Sequence, residues 1–169
     1  MTDSRDALWR VAGCFDSMYA VLGAHAGRLS DDACTIRAFE AARAFGDVSR
    51  ALEEYLGDHR RHSVVALEDA LRDALDNDET GAMVLHAVAS IVGPRVLVTV
   101  RDALELDELD EAARALLARA SDVLVGEILA VSRLGDASTL VSGRWPERAR
   151  ELTRRLEESG NAESFGLRG

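Results

Sequence analysis

Hydrophobic residues recur along most of this chain at alternating steps of three and four positions. A side chain returns to the same face of an α-helix at that spacing, so each such segment predicts a helix with one apolar face. Every one of these faces needs a partner that buries it. Five segments follow the rule, namely residues 11–29, 34–55, 64–75, 109–131 and 145–156.

Residues at the segment ends support the same division, because a helix end needs side chains that satisfy free backbone groups or residues that stop the winding. Asp107 is a candidate cap for the fourth helix, and Gly57 interrupts the chain after the second. Pro146 suits the first turn of the last helix, where its missing N–H costs nothing. Further candidate caps and stops are Ser30, Asp31, Ser63, Asp76, Asn77, Asp78 and Gly135.

Residues 81–106 are harder to assign, because 83–92 is apolar on nearly every side and Gly93-Pro94 then breaks the pattern. A helix that ends or kinks at the proline is expected there. Residues 95–101 are rich in β-branched side chains and could form a strand. A lone strand would leave its backbone groups unsatisfied, since no second strand-like segment exists. We therefore predict a kinked, fully buried central helix.

The length of 169 residues and the hydrophobic content of 47% fit one domain with one core. We predict an all-α, single-domain helical bundle of five to six helices over residues 1–159. Residues 134–144 are rich in glycine and serine and predict a loop. The remaining residues, 160–169, are expected to form a disordered tail.

Charge and hydropathy restrict the partners and the location. The net charge is −10, and a general nucleic-acid binder would need a basic surface instead. The best membrane-spanning candidate, residues 82–100, contains His86, Pro94 and Arg95. The N-terminal residues lack the form of a signal peptide. We therefore expect a soluble cytoplasmic protein with neither nucleic acid nor membrane as a partner.

Three polar residues lie on the otherwise apolar stripes: His25, His86 and Glu127. Glu127 has apolar neighbours on almost every side, so its carboxylate lies at the bundle edge, pairs with an arginine or has a function. The two histidines raise the same question on their own helices. If all three meet inside the bundle, they could bind a metal or a small ligand; otherwise they are satisfied core or edge residues.

A compact cationic cluster, His59-Arg60-Arg61-His62, follows Asp58. Arg60 and Arg61 could bind a phosphate or an acidic partner, and His59 and His62 could join Asp58 in a metal site. The structural alternative is that basic residues after a helix end favour the helix dipole and pair with nearby acids.

The two cysteines, Cys14 and Cys34, have no metal-type spacing and lie on predicted core faces, which indicates buried thiols rather than a disulfide or a redox pair. The chain also lacks the nucleophile elbow, the phosphate-binding loop, the dinucleotide fingerprint and the zinc-protease motif. A catalytic set assembled from distant residues stays open. The residues themselves predict no cofactor and favour a protein that is not an enzyme.

The order of helices resembles that of the ferritin-like four-helix bundles, including small actinobacterial members related to tRNA-hydroxylase proteins. The resemblance covers residues 8–133 and includes Tyr55-Leu56-Gly57-Asp58-His59-Arg60-Arg61-His62, Val65-Ala66-Leu67-Glu68-Asp69-Ala70-Leu71 and Leu124-Val125-Gly126-Glu127-Ile128-Leu129. It implies a bundle whose inward glutamates and Glu-x-x-His pairs hold two metal ions. This chain has no Glu-x-x-His, so only Glu127 stays as an unmatched candidate ligand.

These observations favour a non-catalytic binding or interaction protein that forms a homodimer. The first and last helices carry bulky apolar residues, Trp9, Phe15 and Trp145, which we expect a small bundle to leave partly uncovered. One alternative is a ferritin-like oxidoreductase with iron or manganese, with a site in the bundle core drawn from His25, His86, Glu127, His59 and His62. Another is a bundle that binds a small molecule inside its apolar core.

Overall fold

The structure, a computed structural model, describes residues 4–29, 32–57, 65–75, 80–134, 140–141 and 143–159. Over these ranges the chain is helical with short turns and contains no strand, so the predicted all-α bundle is confirmed. The helices are α1 (Ser4–Ala26), α2 (Asp32–Leu56), α3 (Val65–Ala74), α4 (Gly81–Leu85), α5 (Gly93–Leu104), α6 (Glu111–Ser132) and α7 (Trp145–Ser159), with a π-helical segment (His86–Val92) between α4 and α5.

Four long segments form a closed ring around the core. Helix α1 packs on α2, α2 on α6, α6 on α5, and α5 on α1. Helices α3 and α7 pack on each other outside this ring, where α3 also contacts α1 and α7 contacts the π-helical segment. Pairs of opposite charge, such as Arg155 with Asp73 and Arg95 with Glu157, connect α7 to α3 and α5.

Neighbouring helices of the ring run antiparallel. Arg5, near the start of α1, donates to the carbonyl of Leu56 at the end of α2, and Ser49 donates to the carbonyl of Ala12 between them. Helix α2 is antiparallel to α6, because Arg37 contacts Glu127 while Tyr55 contacts Asp110. Helix α6 is antiparallel to α5, because Ile128 lies beside Gly93 while Arg114 contacts Leu104. It follows that α2 and α5 run in the same direction. The connection between them, which includes α3, therefore returns along the length of the bundle, as in bundles with one long crossover.

Neighbouring helices surround the middle of α1. All eight residues from 11 to 18 are buried, on every side of the helix. The prediction that residues 81–106 form the fully buried central helix was therefore wrong, since Pro94, Val98 and Arg101 are exposed. The alternative of a strand over 95–101 was also wrong, because those residues lie within α5.

The predicted kink before Pro94 takes the form of the π-helical segment. The N–H of Gly93 bonds to the carbonyl of Val88, five residues earlier, instead of the usual four. Proline lacks an N–H, and its ring would clash with the carbonyl of Ser90 in a regular α-helix. The wider turn makes room for that ring, so the helical path continues through the proline into α5.

Two predicted helix boundaries agree with the structure and one differs. Gly57 ends α2 with a positive φ of 69°, and its N–H bonds to the carbonyl of Glu53. Pro146 lies in the first turn of α7. The cap of α6 is Asp110 rather than Asp107, because Asp110 accepts from the N–H of Ala113 at 2.8 Å.

The chain needs residues 105–110 to turn from α5 into α6, which places Asp107 too early to cap α6. Arg114 holds this turn by donating to the carbonyls of Leu104 and Leu106. The candidate caps and stops Ser30, Asp31, Ser63, Asp76, Asn77, Asp78 and Gly135, most of the predicted loop, and the tail at 160–169 lie outside the described residues.

Within the described residues, one helical stretch, Gly81–Leu104, is long and apolar enough to cross a membrane by length and composition. Of its most apolar window, 56% is buried inside the fold. The core helix of a soluble protein meets the same criterion. The cytoplasmic location therefore stays a prediction.

Candidate functional site

Glu127 forms an ion pair with Arg37 at the interface between α6 and α2. Arg37 Nη2 lies 2.9 Å from Glu127 Oε1 and 2.8 Å from Oε2, and only the first contact has hydrogen-bond geometry. The two side chains are 21% and 12% exposed. Arg37 Nη1 also lies 3.2 Å from Glu40 Oε2, so one guanidinium joins two carboxylates.

Burial raises the pKa of Glu127, because a carboxylate away from water loses hydration. The positive charge of Arg37 acts against this effect, and the negative charge of Glu40 adds to it. The pKa of Glu127 is raised overall, so the attraction to Arg37 does not fully offset the loss of hydration. This arrangement matches the predicted alternative in which Glu127 pairs with an arginine.

His86 is half-buried where the π-helical segment meets α7. Trp145 Nε1 donates to His86 Nδ1 at 3.3 Å, and the two rings meet edge to face with centroids 5.8 Å apart. Burial lowers the pKa of His86, which keeps the imidazole neutral at pH 7. Because Nδ1 accepts a hydrogen bond, the proton of the neutral ring lies on Nε2.

A small cavity of about 110 Å³ lies beside His86. Its polar lining comes from His86, Ser90 and Ser132, and its apolar lining comes from Cys34, Ala82, Leu85, Val131, Leu134 and Leu140. Ser132 donates to the carbonyl of Leu129. His86 and Ser90 thus line a mostly apolar cavity that is smaller than most small-ligand pockets.

His25 has different surroundings, near the end of α1. Burial lowers the pKa of this half-buried side chain, and the positive charges of Arg28 and Arg72 lower it further. The described residues contain no group of three or more histidine, cysteine, aspartate and glutamate side chains that could hold a metal ion. The structure therefore gives His25, His86 and Glu127 separate environments and does not bring them together.

The other candidate ligands, His59, Arg60, Arg61 and His62, lie outside the described residues. Their cationic cluster and its proposed phosphate, acidic or metal partner stay predictions.

Both cysteines are buried and neither forms a disulfide, as predicted. Burial raises the pKa of Cys14 to about 12, although the charge of Arg10 acts in the opposite direction. Such a thiol stays protonated and unreactive at pH 7. Cys34 packs against Gly81 at the N-terminus of α4, where a side chain on the glycine would collide with it.

The exposed apolar surface does not include Trp9, Phe15 and Trp145, the residues that the sequence indicated. Phe15 and Trp145 are buried, and Trp9 packs against the core. Ile36 and Phe39, on the outer face of α2, are instead 59% and 53% exposed. Their spacing of three residues was a signal for a second apolar face on this helix. The longer apolar pattern lies on the opposite face of α2, so the stripe predicted from the sequence did not include these two residues.

Tyr19 of α1 extends this surface across the groove between α1 and α2. Tyr19 is 45% exposed, and it lines a shallow depression with Phe39, Ala42 and Gly46. A Cβ on Gly46 would lie 3.1 Å from the Tyr19 ring, so the absent side chain lets the ring lie against the α2 backbone. We call Tyr19, Ile36 and Phe39 the α2 patch.

No protein-family model, no curated protein and no solved structure matches this chain.

Proposed function

We propose that this protein is a non-catalytic helical bundle that self-associates through the α2 patch. The observation that carries the proposal is the exposure of Ile36 and Phe39, two large apolar side chains more than half exposed on one helix face. Scattered single apolar residues on a surface are ordinary, but adjacent ones that join a third residue form a patch. Burial of this patch against a partner would gain free energy from the hydrophobic effect.

The buried polar groups support a binding role rather than a chemical one. Among the described residues, three of the four buried polar side chains are hydroxyls that donate to backbone carbonyls, Ser17 to Gly13, Ser49 to Ala12 and Thr99 to Arg95, and the fourth is Asp16. Ser17 and Thr99 donate within their own helices, and Ser49 donates from α2 to α1, so these hydroxyls serve helix and packing contacts and are not poised as nucleophiles.

A ferritin-like fold is also a proposal, and the antiparallel ring with one long crossover supports it. The ferritin-like metal site needs carboxylates that project into the middle of the bundle. Here Phe15 and Phe45 meet edge to face halfway along α1 and α2, with ring centroids 5.7 Å apart. Aromatic carbons do not bind iron or manganese, so these residues do not fit a di-metal oxidoreductase.

The experiment compares the molar mass in solution of wild type, Ile36→Glu and Phe39→Glu by light scattering after gel filtration. At high loading concentration wild type is expected to approach twice the chain mass of 18.3 kDa, and each variant to stay near the mass of one chain. Val98→Glu is the matched control, because Val98 is a large exposed apolar residue on α5. A dimer that survives both α2 variants would contradict the proposal.

The cavity beside His86 favours a second candidate function, the binding of a small molecule. The Nε2–H group of His86 and the hydroxyl of Ser90 can donate hydrogen bonds to a small, mostly apolar ligand that carries an oxygen acceptor. Cyclohexanone, tested against methylcyclohexane, is a suitable probe. A rise in melting temperature with the ketone alone, lost when Ser90→Leu fills the cavity, would support this function. No rise in wild type with either probe would count against it.

A further inference from the structure

The outer face of α2 carries four residues in the order acid, apolar, apolar, base: Asp32, Ile36, Phe39 and Arg43. Steps of four, three and four residues place them on one stripe, and all four are exposed. The stripe is about 16 Å long at 1.5 Å per residue. It has apolar side chains in its middle and opposite charges at its two ends.

This order is self-complementary. A two-fold axis brings the same surface of both chains into contact, and an antiparallel pair reverses the order of the residues on the second helix. The acidic end of each stripe then meets the basic end of the other. A parallel pair would place like charges together, which costs free energy.

We propose, on the basis of the self-association proposed above, that the partner is a second copy whose α2 packs antiparallel on α2. Ile36 lies against the partner's Phe39, and Asp32 lies beside the partner's Arg43. Symmetry repeats both contacts, so two ion pairs flank an apolar centre of four side chains. Tyr19 adds apolar area next to Phe39 at each side.

The charges along α2 select this register over its neighbours. If the partner slides by one helical turn in one direction, Asp32 comes opposite the partner's Glu40. If it slides by one turn in the other direction, Asp32 comes opposite the partner's Asp47. Either shift brings carboxylates together and separates Ile36 from Phe39, so both lose attraction and add repulsion.

Two charge reversals test the register through complementation. Asp32→Arg alone places two arginines together at each end of the interface, and Arg43→Asp alone places two aspartates together. Each variant is expected to weaken the dimer by about tenfold or more. An equimolar mixture of the two variants restores both opposite-charge pairs, so a heterodimer is expected to form with an affinity close to that of wild type.

The readout is sedimentation equilibrium of each variant alone and of the mixture. Arg101→Asp is the matched control, since it makes the same charge change at an exposed position on α5 and should leave the dimer intact. Circular dichroism checks that each variant stays folded, because Asp32 begins α2 and a positive charge there is unfavourable to the helix.

The outcomes separate this inference from the function on which it rests. A wild-type protein that stays monomeric would contradict both the proposed self-association and the proposed register. A wild-type dimer that Ile36→Glu dissociates, but that neither reversal weakens or whose mixture does not reassociate, would leave the α2 patch as the interface and overturn this register.

Discussion

Arg37 and Glu127 form the ion pair that aligns α2 with α6 at one end of their interface. At the other end, Tyr55 donates to Asp110 at 2.7 Å. The two contacts are separated by about 27 Å along α2 and about 26 Å along α6, at 1.5 Å per residue. These lengths agree, so both contacts specify the same antiparallel register.

Removal of Arg37 should cost more stability than removal of the Glu127 charge. Arg37→Met leaves a largely buried carboxylate without its cation, and we expect a loss of about 3 kcal/mol in the free energy of unfolding. Glu127→Gln should cost about 1 kcal/mol, since Arg37 keeps Glu40. The double change Arg37→Met with Glu127→Leu should recover most of the loss. Urea denaturation measures all three, and equal losses for both single variants would contradict this account.

The raised pKa of Glu127 predicts a pH dependence of stability. The folded state binds this proton more tightly than the unfolded state, in which the pKa has its ordinary value of 4.5. Stability from this group is therefore greatest below pH 4.5 and is lost as the pH rises through the folded pKa. Glu127→Gln removes the titration. The free energy of unfolding of wild type minus that of Glu127→Gln should thus fall from pH 4 to pH 7, and a rise would contradict the pKa direction.

Asp110 should stabilise α6 while Asp107 should not. Asp110→Ala removes the acceptor of the Ala113 N–H and of the Tyr55 hydroxyl, so the melting temperature should fall by a few degrees. Asp110→Asn keeps a capping oxygen, so its melting temperature should fall less than that of Asp110→Ala. Asp107→Ala is the matched control. Calorimetry would contradict the assignment if the change at Asp107 had the larger effect.

Alanine at two glycines should have opposite effects on stability. A Cβ at Gly81 would collide with the Cβ of Cys34 and lie 3.3 Å from its sulfur, so Gly81→Ala should cost about 2 kcal/mol. A Cβ at Gly126, within α6, meets nothing within 4 Å. Gly126→Ala should gain about 0.5 kcal/mol, because alanine loses less backbone entropy in a helix. Urea denaturation distinguishes the two, and equal effects would show that Gly81 is not tightly packed.

The sequence predicted the helices well because periodicity is a local property. Residues 95–101 form a helix in spite of their β-branched side chains, as the absence of a partner strand indicated. The cap of α6 was less predictable, since Asp107 and Asp110 both precede an apolar stripe. Only the length of the turn after α5 decides between them.

The candidate site depended on tertiary packing, which periodicity does not specify. The Arg37–Glu127 pair joins residues on separate helices, and the sequence indicated only that some arginine could pair with Glu127. The exposure of individual apolar side chains was even less predictable from the sequence. Phe15 belongs to a helix that neighbours surround, while α2 has one free face, so Ile36 and Phe39 are exposed and Phe15 is buried.

The most direct test of self-association is sedimentation equilibrium of the unmodified protein from about 1 µM to about 100 µM, the range in which weak dimers dissociate. We predict that the average mass rises with concentration from 18.3 kDa toward twice that value. We also predict that Ile36→Glu removes the rise. A wild-type mass that stays at 18.3 kDa throughout the range would contradict the central claim.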